Sequence, residues 1–197
     1  MRNILLVDGE NFKKKIESVF EEEGEGEPDW SSYNFRGLID HVLSGINLGD
    51  RVFYIARIKE HEETKEKSRE LIEKQRGLKA NLINSGFTVV SAGNVKGWPY
   101  GKKGRLIFKE KGVDVRIAVD MIVRACIDGD IDTIILGSSD SDLQPAVSEL
   151  NKRSVRSIYL GFESNPNKGL TYTMGKTILI RNREVIEFKS QNPHKLL

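Results

Sequence analysis

Three short stretches carry carboxylates in patterns that chemistry can use. Asp8-Gly9-Glu10-Asn11 follows the first apolar run, Gly137-Ser138-Ser139-Asp140-Ser141-Asp142 follows a later one, and Asp114 comes directly after Lys111-Gly112-Val113. Carboxylates packed together repel, so a cluster of them is tolerated only with a cation or with raised pKa values. Oxygen ligands without His or Cys favour Mg²⁺ or Mn²⁺ over zinc. Such clusters are a common solution for phosphodiester hydrolysis, where the ion activates water and neutralises developing charge. Each motif alone has a plainer reading. Asp8 or Asn11 could cap a helix starting near Phe12, Ser139-x-x-Asp142 matches a capping box, and Asp114 could simply favour the positive end of its helix. Asp120, four residues from both Arg116 and Arg124, suits a surface ion-pair ladder. Six residues beyond Asp114, it points about a third of a turn away.

These residues need elements to position them. Apolar runs rich in β-branched residues, most of them continuous, occur at 4–7, 52–56, 133–136 and 155–160, with a weaker one at 87–90. Continuous rather than alternating runs are what strands covered on both faces require. Between them lie helical patterns at 31–46, 60–85, 113–127 and 142–150. Strands alternating with helices give an α/β fold on a mainly parallel sheet. In such a sheet ligands bind beyond the carboxyl ends of the strands. The plainer readings do not explain why three acidic motifs all fall at those ends. Towards the end of the chain, residues 177–180 and 185–188 are expected to be two short strands, possible partners in a terminal hairpin.

Composition narrows the rest. The chain has 197 residues, 38% of them hydrophobic, with 31 Lys+Arg against 29 Asp+Glu and a net charge of +2. That length supports one ordinary domain, and the balance argues against a polybasic tail as the main binding device. A single cysteine, Cys126, excludes an internal disulfide and a cysteine metal cluster, and a core position is expected for it. His41, His61 and His194 have no recognisable partners and are given surface or packing roles. No apolar run approaches the length of a membrane span, so a cytoplasmic protein without a membrane partner is expected. Residues 17–29, with seven acidic residues and no basic one, read as a solvated loop.

Taken together, Val7-Asp8-Gly9-Glu10-Asn11-Phe12, Lys111-Gly112-Val113-Asp114-Val115 with Ala118-Val119-Asp120, and Leu136-Gly137-Ser138-Ser139-Asp140-Ser141-Asp142-Leu143 resemble the NYN domain family. These are PIN-like nucleases related to the DUF88 and LabA-like proteins. The resemblance follows the family's order from Arg2 to Gly161. It implies a three-layer α/β/α PIN-like domain, expected over residues 1–163, with residues 164–197 as an extension packing on or near it. It also implies a Mg²⁺ or Mn²⁺ site and a metal-dependent ribonuclease of endonuclease type. By position, Asp8, Asp114, Asp140 and Asp142 become the expected metal ligands, Asn11 orients a ligand, and Asp120 joins the catalytic set. One departure is plain: the family commonly has glycine before the third motif's aspartate, where this chain has Ser139.

The leading expectation is therefore ribonuclease action, against a non-cleaving RNA-binding module or a Mg²⁺-dependent phosphohydrolase. Residues 94–111 mix six Lys/Arg with Trp98, Tyr100 and Phe108 and run straight into Gly112-Val113-Asp114. Basic groups suit phosphates and aromatic rings suit unpaired bases. Lys96, Trp98, Tyr100, Lys102, Lys103 and Arg105 are thus expected to grip single-stranded RNA. Exposed terminal strands could also pair in a homodimer.

Overall fold

The computed structural model describes residues 2–58, 65–100, 105–127 and 131–190, the side chains of Lys67 and of residues 96–110 excepted. Its strands are β1 (Arg2–Asp8), β2 (Leu48–Arg57), β3 (Thr88–Tyr100), β4 (Arg105–Lys111), β5 (Ile131–Gly137), β6 (Arg156–Phe162) and β7 (Lys176–Ile180). The helices are α1 (Gly9–Glu22), α2 (Phe35–Val42), α3 (Lys65–Asn84), α4 (Val113–Cys126), α5 (Gln144–Lys152), α6 (Lys168–Thr173) and α7 (Asn182–Glu187). The strands form one sheet in the order β4-β3-β2-β1-β5-β6-β7. All neighbours pair in parallel except β3 and β4, which form an antiparallel hairpin.

Each face of the sheet has its own core. Leu5, Val7, Phe53 and Ile135 face α1, α2, α3 and α7, where Phe12, Leu38, Leu82 and Val185 are buried. Ile4, Leu6, Tyr54 and Leu136 face α4, α5 and α6, where Ile117, Val147 and Leu170 are buried. This is the expected three-layer α/β/α PIN-like arrangement on a mainly parallel sheet. Burial on both sides accounts for the unbroken apolar run of β1. Strand order reverses at β1: β2 and β3 extend to one side, β5, β6 and β7 to the other. The carboxyl ends of β1 and β5 are thus the topological switch point of the sheet, where open α/β folds bind their ligands.

Several local expectations need correction. Residues 17–22 of the acidic stretch belong to α1, whose Ile16, Val19 and Phe20 are buried. Amphipathic burial outweighs the charge of that turn. Residues 185–188 are not a strand: α7 covers most of them, with Glu184 Oε2 accepting from Arg181 N at 2.8 Å in the manner of an N-terminal cap. No terminal hairpin forms, because β7 pairs in parallel with β6. Cys126 is exposed. The buried face of α4 runs through Val113, Ile117 and Met121, and five residues past Met121 lies well off that line. The same offset leaves Val115, Val119 and Val123 on the outside. His41 lies at the surface beside Glu184, at 3.7 Å, as expected. His61 and His194 lie outside the described residues, within which no helix is long and apolar enough to cross a membrane.

Candidate active site

Asp8 ends β1 and caps α1. Its Oδ1 accepts from the backbone N–H of Asn11 at 3.1 Å, so the capping reading is correct as far as it goes. A surface cap would be exposed, however, whereas Asp8 is only 6% exposed. Its Oδ2 accepts from Ser138 Oγ at 3.2 Å, directly past the carboxyl end of β5. Ser138 Oγ in turn accepts from the backbone N–H of Asp140 at 3.1 Å. One serine therefore links the Asp8 carboxylate to the backbone of Asp140 across the switch point. Burial pushes the Asp8 carboxyl above its ordinary pKa, and the charges of Asp140 and Glu10 push the same way against the two hydrogen bonds. No Lys or Arg among the described residues pairs with Asp8 or Asp140.

The turn after β5 is held from both sides. Asn11 Oδ1 accepts from Ser139 N at 2.9 Å, and Asp140 Oδ1 accepts from Asp142 N at 2.9 Å, capping the single 3₁₀ turn Ser141–Leu143. The Asp142 side chain is exposed. Glu10, beside Asp8, is turned outward by Lys13 at 3.0 Å and Lys14 at 3.5 Å. Burial raises its pKa, but these two lysines outweigh it and hold the carboxyl below the ordinary range.

Asp114 lies half-buried in the first turn of α4, at the sheet's carboxyl edge. Gly112 makes this entry possible: with φ at 87° it occupies the left-handed region and turns the chain from β4 into the helix. Asp120 sits one strand away from Asp8. Tyr54, the register partner of Asp8 on β2, donates to Asp120 Oδ2 at 2.8 Å, and Arg116 donates to Oδ1 at 2.9 Å. Each Asp120 oxygen thus has one hydrogen-bond partner. At 1.5 Å per residue, Asp114 stands about 9 Å further along the helix, towards the strand ends.

The structure brings Asp8, Asn11, Asp140 and the backbone of Asp142 into one hydrogen-bonded unit, with Asp120 and Asp114 on the neighbouring helix. Among the described residues, no three His, Cys, Asp or Glu side chains already stand close enough to hold an ion. The donor chemistry nonetheless suits a hard divalent cation: two oxygen-only carboxylates, one deeply buried and neither paired with a basic residue among those described. Sequence reasoning missed Ser138 and Tyr54. Ser138 carried a weak signal as one of three serines in the third motif; Tyr54 carried none.

Lys96, Trp98 and Tyr100 have backbones in β3, opposite Lys109, Ile107 and Arg105 of β4. Residues 94–100 and 105–111 are therefore paired antiparallel strands, the second leading into α4. The side chains of Lys96, Trp98, Tyr100 and Arg105, and all of Lys102 and Lys103, lie outside the described residues.

The profile of the NYN domain matches residues 2–178. The chain belongs to the NYN domain family. The NYN match runs beyond Gly161 into β7, so the family pattern takes in part of the segment expected to be an extension. NYN domains comprise PIN-like nucleases. The fold is also similar to the crystal structure of VPA0982, a protein of unknown function from Vibrio parahaemolyticus RIMD 2210633. The two share 18% identity over 91% of this chain and 92% of that one, with a TM-score of 0.53. At that identity the likeness shows the fold alone. No curated protein matches the sequence.

Proposed function

We propose that this NYN domain protein is a metal-dependent ribonuclease acting on single-stranded RNA, with Mg²⁺ or Mn²⁺ as cofactor. One observation carries the reading: Asp8, buried and paired with no Lys or Arg among the described residues, is joined through Ser138 to the backbone of Asp140 at the switch point of the sheet. Asp8 and Asp140 would hold the ion, with Asp114 and Asp142 completing its shell from α4 and from the 3₁₀ turn. When bound, the ion supplies activation of water and neutralisation of charge on the phosphate. The chain's own residues supply the positioning. Asn11 spends its carbonyl oxygen on Ser139 N, which leaves its Nδ2 hydrogens for a phosphate oxygen. The β3–β4 hairpin, with Lys96, Trp98, Tyr100, Lys102, Lys103 and Arg105, would guide the strand towards Asp114. Asp120, held by Tyr54 and Arg116, would keep α4 in place rather than meet the substrate.

A non-cleaving RNA-binding module is the second reading, favoured by one observation: no three ligating side chains stand together in the described residues. Cleavage of a labelled single-stranded RNA in Mg²⁺ or Mn²⁺, compared with binding of the same RNA in EDTA, separates the two. Metal-dependent cleavage by wild type that is lost in Asp8→Asn supports the nuclease. Binding in EDTA without cleavage in either metal supports the module.

A further inference from the structure

We propose that Ser139, Tyr159 and Asn167 form a latch that positions Asp140 for the ion, making Ser139 a positioning residue rather than a neutral replacement for glycine. This rests on the metal-dependent reading above and adds to it Tyr159 and Asn167, which the three acidic motifs do not contain. Every polar group of Ser139 is engaged. Its N–H donates to Asn11 Oδ1 at 2.9 Å, its Oγ meets Tyr159 Oη at 3.0 Å, and its carbonyl accepts from Asn167 Nδ2 at 2.9 Å. The ring closes when Asn167 N donates to Tyr159 Oη at 2.9 Å.

Both outer members are themselves fixed. Tyr159 lies in β6 with no exposed surface, and Asn167 caps α6, its Oδ1 accepting from Leu170 N at 2.9 Å. Asp140 is the next residue after Ser139, so whatever holds Ser139 sets where the Asp140 carboxylate begins. Glycine at 139 would keep the two backbone ties but lose the hydroxyl one, and would add conformational freedom beside the ligand. Nor does the backbone require glycine there. Among the described residues Ser154, not Ser139, is the non-glycine residue with positive φ. The serine therefore substitutes a side-chain tie for a flexible turn. Hydrogen bonds that orient metal ligands typically carry a tenfold or larger effect on metal affinity.

The test uses the full chain and Mn²⁺ alone, without RNA, with free Mn²⁺ followed by electron paramagnetic resonance. Ser139→Gly and Tyr159→Phe should each raise the Mn²⁺ dissociation constant about tenfold. The double variant should be little worse than either single one, because both remove the same tie. Ser139→Thr, which keeps the hydroxyl, should bind like wild type. Thermal melts of the metal-free proteins check that each variant is folded. Ser139→Gly, outside the core, provides the test should Tyr159→Phe unfold. Wild-type Mn²⁺ affinity in a folded Ser139→Gly protein overturns the latch, even if its melting temperature falls. If wild type and Asp8→Asn are alike in failing to bind Mn²⁺, the metal-dependent reading itself is overturned, and the latch with it.

Discussion

The hydroxyl of Tyr54 donates to Asp120 across 2.8 Å, pinning the middle of α4 to β2 at the level of Asp8. Burial raises the Tyr54 pKa far above the ordinary phenol range, and the Asp120 hydrogen bond adds to the shift. The phenol stays protonated and keeps donating throughout the usable pH range. Tyr54→Phe should therefore cost about 1–3 kcal/mol of stability by leaving part of Asp120 unpaired. Asp120→Asn should reduce RNA turnover far less than Asp8→Asn does. Urea unfolding of Tyr54→Phe, with turnover of the Asp120 and Asp8 variants measured in parallel, checks both expectations. Equal loss of turnover in Asp8→Asn and Asp120→Asn would assign Asp120 to the reacting centre.

Asp8→Asn and Asp140→Asn should each lower Mg²⁺-dependent cleavage at least about a hundredfold, since losing a ligand should cost no less than losing an outer partner. Asp114→Asn is expected to behave similarly. Single-turnover cleavage at saturating RNA measures this, with circular dichroism as the check on folding. If two of the three variants keep wild-type turnover, the ligand assignment is wrong.

The same Asp8 change should act oppositely on the metal-free fold. The folded Asp8 pKa lies above its unfolded value, so the ionised carboxylate opposes folding at neutral pH. That penalty is fully present above the folded pKa and fades as pH falls through it towards the unfolded value. In EDTA at pH 7, Asp8→Asn should melt at or above the wild-type temperature, and the gap should narrow on acidification. Added Mg²⁺ should raise the melting temperature of wild type only. A wild-type protein that gains on the variant as pH rises in EDTA would contradict this.

Replacing Lys102, Lys103 and Arg105 together should weaken RNA binding and flatten its dependence on salt, because fewer counterions are released. Trp98→Ala should lower affinity by about 1–3 kcal/mol where a base stacks on the ring. Fluorescence anisotropy with a short labelled RNA in EDTA, across a salt series, reads both. An unchanged slope in the triple variant would remove the hairpin from the RNA path.

Gly9→Ala tests how closely α1 must approach the sheet. A methyl group there would stand 2.5 Å from Phe53 Cε1 and overlap the carbonyl oxygen of Tyr54. Overpacking of this kind costs about 1–3 kcal/mol or more, and here it would displace the turn carrying Asp8 and Asn11. Chemical denaturation and Mn²⁺ affinity should both register the change.

The fold and one part of the site were legible in the sequence for physical reasons. Residues 4–7 and 134–136 are unbroken apolar runs because both faces of β1 and β5 are covered, and that placed Asp8 at the end of one strand and Asp140 just past the end of the other. The ties around them were not legible. Ser138 and Asp8 are 130 residues apart, and Asn167 and Ser139 are 28 apart, so no local pattern announces either pair. The Val185-Ile186-Glu187-Phe188 stretch misled because four residues cannot separate a period of two from one of 3.6. Glu184, acting as a cap just ahead of it, was the better signal.

The bond from Asn167 to Ser139 also sets a timetable. On a ribosome Asp8 and Asn11 emerge early, Ser138 to Asp142 much later, and Asn167 later still. The turn that carries Asp140 can then acquire its last tie only when nearly the whole domain has been made. A chain stalled before residue 167 would display all the acidic residues of the site while lacking the contact that steadies them. The Asp140 turn is in this way the last part of the acidic cluster to be fixed, after the Asp8 and Asn11 turn at the start of α1.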